Sequence, residues 1–148
     1  MEVSVRRAQD KDVKDILEIL YELERPKPID NNELKIFKNK IDDYLAGPQK
    51  EILVAKGNSK IIGVASIVFI RRLNRAKLEM YIPELVVSKE FRHQGVGKKL
   101  ILYCEELAKK KKCYRIRLES GNQRTDSHKF YKKIGFEQTA LSFAKNIL

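Results

Sequence analysis

Cysteine is scarce in this 148-residue chain: Cys104 and Cys113 are the only two, with no CxxC spacing and no companion histidine cluster. That excludes a disulfide-stapled secreted scaffold and a thiolate metal site, and it points to a reducing compartment, the cytoplasm. Long apolar runs are lacking too. The longest, Ile61 to Ile70, contains Gly63 and Ser66 and falls short of the ~20 residues that span a bilayer. The amino-terminal Met1 to Arg7 alternates apolar and polar residues and has no signal-peptide core. Low-complexity linkers and repeats are absent, so one packed domain over 1–148 is expected. Acidic charge is the last deficit: 20 Asp plus Glu stand against 31 Lys plus Arg, a formal net charge of +11. Such an excess favours an anionic partner, whether nucleic acid, a membrane surface or a phosphate-rich cofactor. What is present in quantity is apolar residue, 43% of the chain, enough to build a core and to exclude intrinsic disorder.

The period of that apolar residue changes along the chain. Glu2 to Ala8 alternates like a strand, and Asp10 is placed to cap a helix carrying Val13, Ile16, Leu17, Leu20 and Leu23 until Pro26 and Pro28 stop it. Asn31 to Leu45 has helical spacing up to Gly47-Pro48. Glu51 to Lys56 and Lys60 to Arg71 read as a hairpin around Gly57-Asn58-Ser59, and Lys77 to Val87 as a third strand interrupted by Pro83. A helix starts near Gly95 or Val96 and ends on Lys109 to Lys112. Arg115 to Glu119 follows as a strand, Arg124 to Ile134 as a helix closed by Gly135, and Phe136 onward as one or two further strands. This order gives a mixed α/β domain. Cys104, on a helical apolar stripe, reads as inert core.

One segment concentrates chemistry. A strand ending at Val86-Val87 enters the turn Arg92-His93-Gln94-Gly95-Val96-Gly97-Lys98 and opens a helix. A helix start offers unpaired N–H groups and partial positive charge, and residues without Cβ let the backbone approach a phosphate. The segment fits neither the dinucleotide-binding glycine fingerprint nor the phosphate loop ending in Gly-Lys-Ser/Thr.

Arg92-His93-Gln94-Gly95-Val96-Gly97 resembles the Arg/Gln-x-x-Gly-x-Gly/Ala pyrophosphate motif of the GNAT family of N-acetyltransferases. Downstream, Ser127-His128-Lys129-Phe130-Tyr131-Lys132-Lys133-Ile134-Gly135-Phe136 is similar to that family's Ala-His-x-Phe-Tyr-x-x-x-Gly-Phe segment. The resemblance covers essentially the whole chain and, within the family, looks most like members that acetylate small amines, including aminoalkylphosphonate and aminoglycoside acetyltransferases. It implies an α/β (α+β) acyl-CoA N-acyltransferase fold: a mixed, mostly antiparallel sheet with a splayed parallel strand pair and flanking helices. It also implies acetyl-CoA as acetyl donor.

The resemblance further implies roles for individual residues. The strand Leu85, Val86, Val87 separates from its parallel neighbour Ile116 to Glu119, with the pantetheine arm in the gap and an N–H near Val86 or Val87 polarising the thioester. Arg92, His93, Gln94, Gly95, Val96, Gly97 and Lys98 hold the pyrophosphate. Tyr131 is the acid for the departing thiolate. Glu84 is the base, with Glu119 the position used by amino-terminal acetyltransferases. Many members carry an Asn seven residues before the tyrosine; here that position is Arg124, with Asn122 two residues earlier, so Asn122, Arg124, Ser127 and Tyr131 form the expected cofactor contacts of that loop. His128 reads as a structural hydrogen-bonding residue.

The expected acceptor is the primary amine of a small molecule. Glu22, Glu24 and Asp30 are candidates to receive a cationic amine, and Arg71, Arg72 and Arg75 to receive a phosphate, phosphonate or acidic group. A protein or peptide acetyltransferase is the enzymatic alternative, in which Glu119 rather than Glu84 would be essential. A basic nucleic-acid-binding domain is the non-enzymatic one, disfavoured because no strand interleaves aromatic with basic residues and no zinc site or groove-reading helix is present. No membrane partner and no metal are expected, and a homodimer is left open.

Overall fold

The computed structural model describes every residue except Glu24 and Arg25, so Glu24, a candidate amine receiver, lies outside the described residues. The chain divides into two units, Met1–Arg117 and Leu118–Leu148.

In the first unit, strand β1 (Val3–Arg7) leads through a short 3₁₀ turn into helix α1 (Val13–Leu20). Helix α2 (Asn31–Leu45) follows, its first turn capped by the Asp30 carboxylate, which accepts from the Glu33 N–H at 2.8 Å. Strands β2 (Lys50–Gly57) and β3 (Lys60–Ile70) form the expected hairpin. Its turn residues Asn58 and Ser59 both have positive φ, the geometry that matches strand twist in a tight hairpin. Asp10 does not cap the first helix as expected. Gln9 holds the cap position, and it is Asp12 that accepts the Gln9 N–H at 2.8 Å, while a two-pronged bond from Arg6 drops its carboxyl below the usual range.

The expected single strand 77–87 is two strands, β4 (Glu79–Ile82) and β5 (Leu85–Val87), both antiparallel to β3. Val68 faces Tyr81 and Ala65 faces Leu85. Two residues of β3 therefore oppose three of the other strand, a bulge at Pro83–Glu84, where Pro83 has no N–H to donate. Helix α3 (Val96–Lys110) crosses back to β6 (Arg115–Leu118), which lies parallel beside β4. The sheet order is β1-β2-β3-β4-β6, with β5 on β3 as well.

The two faces of β3 are covered by different helices. Ile16, Leu17, Ile19 and Ile41 of α1 and α2 pack with Ile52, Val54, Val64 and Val86. On the opposite face, α3 buries Val96, Leu100, Ile101, Cys104 and Leu107. Each fully buried aliphatic side chain contributes roughly 1.5–3 kcal/mol. Cys104 is part of this packing: burial pushes its thiol up to about 12, so it stays protonated and unreactive.

In the second unit, helix α4 (Thr125–Lys133) is followed by no strand among the described residues, contrary to expectation. Backbone ladders need a neighbouring strand; here the tail meets Glu119 through a side chain instead, Ser142 Oγ donating to Glu119 Oε2 at 3.0 Å.

Candidate active site

The bulge fixes Glu84. Ser66 N–H donates to the Glu84 carbonyl at 2.9 Å, and the Glu84 N–H donates back to Ser66 Oγ at 3.0 Å. Ser66 Oγ in turn donates to the Glu84 carboxylate. The side chain is thus tied to the same residue that pairs its backbone. Ser66, Val68 and Ile70 alternate onto one face of β3, the face that carries Val64 and receives α1 and α2. Tyr44 of α2 reaches this neighbourhood: burial first, then the negative charge of Glu84, raises its phenol above its ordinary value near 10.

The same ladder decides which amides of β5 are available. Glu84 O accepts from Ser66 and Ser88 N–H donates to Ile62 O at 2.8 Å, so both groups face β3. In an antiparallel pair these directions alternate, so Val86 also faces β3, while Leu85 and Val87 direct N–H and C=O to the other edge. Among the described residues no strand pairs with that edge. Arg92 confirms the direction, its Nε donating to Val87 O at 3.0 Å. Of the two amides expected to polarise a carbonyl, Val86 is therefore turned away and Val87 is available.

Beyond β5, a braced loop leads to α3. Glu22 Oε2 accepts the Lys89 N–H at 2.9 Å and lies 3.9 Å from the Arg92 guanidinium, which makes Glu22 a strut of this loop and not a receiver for a cationic acceptor. Asp30 uses its Oδ1 to cap α2. His93 and Gly95 both sit at positive φ, +63° and +82°. Gly95 is the N-cap of α3 with no side-chain cap, and a Cβ placed there would meet nothing within 4 Å. The first turn of α3 holds no acidic residue, Lys98 is exposed at it, and Gly97 is half-buried. Val96 is buried in the core, so only its backbone can serve a ligand. Open amides, the positive end of a helix dipole and flanking Arg92 and Lys98 fit a phosphate-bearing group.

In the second unit, the chemistry of the Phe-Tyr-x-x-x-Gly-Phe segment is a helix terminus. Gly135, at φ +101°, turns the chain left-handed, its N–H donates to Lys132 O at 3.2 Å and the Phe136 N–H to Tyr131 O at 2.9 Å. This double bond pattern is the Schellman cap, which favours glycine at that place. It brings Phe136 against Tyr131, with ring centroids 5.7 Å apart, and the Phe130 ring lies 5.2 Å from that of Tyr131. Burial raises the Tyr131 phenol, opposed by the positive charge of Arg124. Arg124 caps α4 and Ser127 lies in its first turns, half-buried; Asn122 is exposed in the preceding turn. His128 Nε2 bonds Gly121 O at 2.8 Å, holding that turn as a structural residue does. Glu119 is exposed.

Residues 16–136 match the sequence profile described as the acetyltransferase (GNAT) family. The chain belongs to the GNAT family. It is 27% identical over 143 residues to the aminoalkylphosphonate N-acetyltransferase of Salmonella typhimurium, covering 95% of this chain and 89% of that protein. Over 139 residues it is 28% identical to the glucosamine 6-phosphate N-acetyltransferase of Trypanosoma brucei brucei, covering 92% and 90%. A solved structure titled as a putative acetyltransferase from Agrobacterium tumefaciens superposes with a TM-score of 0.84 at 26% identity, over 97% of this chain and 99% of that one.

As a GNAT member the chain is an N-acetyltransferase, and the family's acetyl donor is acetyl-CoA. Sequence reasoning missed Ser66, which anchors Glu84 from 18 positions away, and Glu79, a fully buried carboxylate held by three arginines. No local pattern marks either. No helix among the described residues is long and apolar enough to cross a membrane.

Proposed function

We propose that this GNAT protein, with 1–148 as its domain, acetylates the primary amine of a small molecule by direct attack, with no covalent acyl-enzyme. The observation that carries the reading is the Glu84 carboxylate, pinned by Ser66 at the bulge between β4 and β5. Glu84 accepts the ammonium proton at its carboxylate and so frees the amine lone pair. Acetyl-CoA supplies the acetyl group as a thioester when bound. Gly95, Val96, Gly97 and Lys98 offer backbone N–H groups to its phosphates, with Arg92, His93 and Gln94 lining the loop. The Leu85 and Val87 edge offers backbone groups to the pantetheine arm, and the Val87 N–H donates to the carbonyl oxygen. The likeness of the Phe-Tyr-x-x-x-Gly-Phe segment to the family's motif assigns Asn122, Arg124 and Ser127 to acetyl-CoA and gives the Tyr131 hydroxyl the role of returning a proton to the departing sulfur. Glu119, exposed and bonded to Ser142, is the weaker base candidate. The direct mechanism needs no thiol nucleophile, in keeping with a buried, protonated Cys104.

The decisive experiment follows thiol release from acetyl-CoA over a panel of small amines and peptides. Small amines are expected to be turned over and peptides not; peptides outcompeting every small amine would overturn the acceptor class. With the best amine, Glu84→Gln is expected to lower kcat/KM by ~10²-fold, and an undiminished rate would remove Glu84 as base. Gly95→Asp places a carboxylate at the anion-binding helix end and is expected to weaken acetyl-CoA binding by at least about tenfold. Calorimetric titration with CoA measures it, and unchanged affinity would mean that the phosphates bind elsewhere.

A further inference from the structure

The row of side chains that crosses the sheet from Glu84 leads to an open cleft. Ile52 of β2 opposes Ser66 of β3, and Ser66 holds Glu84 on its other side. In the next row Lys50 opposes Val68, and Val68 opposes Tyr81. Opposed residues share a face and neighbouring strands lie ~4.8 Å apart, so Ile52 is two strand spacings, ~10 Å, from the place of Glu84. At this end β1 stops at Arg7 while β2 begins at Lys50. A cleft of about 310 Å³ opens there, lined by Tyr44, Lys50, Glu51 and Ile52, with Arg7 and Lys111. Ser66 and Glu84 are not among its lining residues.

Tyr44 is the residue common to both places. Leu34, Phe37, Ile41 and Tyr44, spaced three, four and three residues apart along α2, form the stripe that packs on the cluster containing Ile52 and Val86. At the end of that stripe the Tyr44 side chain is half-buried, and the Lys50 ammonium lies 5.3 Å from its ring centroid. The ring therefore stands over the Lys50 and Ile52 ends of the two rows. Its phenol is raised by burial first, then by the charge of Glu84 and by Tyr81, which puts those groups within electrostatic reach on the side away from the cleft. The cleft itself is polar. Arg7 Nε is spent on Glu51 Oε1 at 2.6 Å, while the ammonium groups of Lys50 and Lys111 are donors suited to a hydroxyl.

We infer that Tyr44 is a specificity-determining residue: its ring closes the acceptor site at Glu84 against the cleft and limits the length of the chain that the acceptor amine can carry. This rests on Glu84 as the base of a small-amine transferase and adds the side chain that keeps the acceptor small. With the ring removed, the row from Glu84 through Ser66 to Ile52 and the cleft become one channel, open to an extended amine whose far end meets Lys50 and Lys111.

The test follows thiol release from acetyl-CoA with ethanolamine, 5-aminopentanol and 8-aminooctanol, using the unaltered protein, Tyr44→Ala, Tyr44→Leu and Tyr44→Phe. The unaltered protein is expected to favour ethanolamine. The kcat/KM ratio of 8-aminooctanol to ethanolamine is expected to rise by at least about tenfold in Tyr44→Ala, through KM. It should rise in Tyr44→Leu as well, which keeps apolar packing on the core and answers the question if the alanine variant does not fold. Tyr44→Phe keeps the ring and should keep the length preference. A ratio that neither shortened variant changes overturns the inference, as does an unaltered protein that already prefers 8-aminooctanol. A phenylalanine variant as permissive as the leucine one overturns it too, since the limit would then lie in the hydroxyl. If no amino alcohol releases thiol with any of these proteins, the small-amine reading fails by itself for this series, and calorimetric titration with 8-aminooctanol decides the role of Tyr44. Tighter binding to Tyr44→Leu than to the unaltered protein upholds it, and equal binding refutes it.

Discussion

Tyr131→Phe is expected to lower kcat by ~10²–10⁴-fold, the contribution of a positioned general acid, while leaving the fold intact. The substitution removes one hydroxyl and keeps the ring that packs edge-on against Phe130 and Phe136, so a purely structural tyrosine would tolerate it. The pH profile separates the two roles. Burial holds the phenol above its ordinary value near 10; it is therefore protonated, and able to donate, throughout the neutral and moderately alkaline range. Activity of the unaltered enzyme should fall only as pH rises through that raised value, and this alkaline limb should vanish in the phenylalanine variant. Turnover untouched across pH would assign Tyr131 to packing alone.

The motifs that carry this reading were legible because each is local. Gly95 must lie within one turn of the amides it uncovers, and Gly135 within a few residues of the carbonyls it caps, so spacing in the chain is spacing in the molecule. The two helices at 13–20 and 31–45, the hairpin and the helix from Val96 are legible for the same reason, since period and turn residues fall within short windows. Failures came where the deciding partner is remote. Nothing in 77–87 says that Ser66 will interrupt it at Glu84; Pro83 marks the place but not the one-residue slip. The segment after Phe136 holds apolar residues, yet strand formation depends on an available edge, and Leu141 and Phe143 stay exposed. Asp10 and Asp12 suit a helix start equally by type, and Arg6, on the preceding strand, selects Asp12. Glu22 and Arg92 are 70 positions apart and are joined only by the fold. The net charge of +11, at first compatible with nucleic acid, includes Arg92 and Lys98 around the head of α3, the three arginines on Glu79 and the run Lys109 to Lys112 at the end of α3.

Removing the Glu79 carboxylate is expected to have the largest effect on stability of any single substitution among these residues. Glu79→Ala leaves three guanidinium groups repelling one another around a cavity, and breaking a buried ionic cluster from one side costs about 3–5 kcal/mol. Glu79→Gln keeps the volume and part of the hydrogen bonding, so it should fold and reports the charge alone. Desolvation works against the ionised carboxylate, but the bonds from Arg115, Arg72, Arg117 and Tyr114 outweigh it and bring its pKa from an ordinary 4.5 to about 2. A lowered pKa means that the folded state holds its proton less tightly than the unfolded chain. The contribution, about 3 kcal/mol for such a shift, is therefore complete above pH ~4.5 and is lost as pH falls toward the folded value. Asp12, lowered by Arg6, loses stability in the same direction, so the informative quantity is the difference between the unaltered protein and Glu79→Gln. Urea unfolding at a series of pH values should show that difference constant from neutral pH down to about 4.5 and closing below it. A gap that does not change with pH would mean that the arginines do not stabilise the ionised form of Glu79.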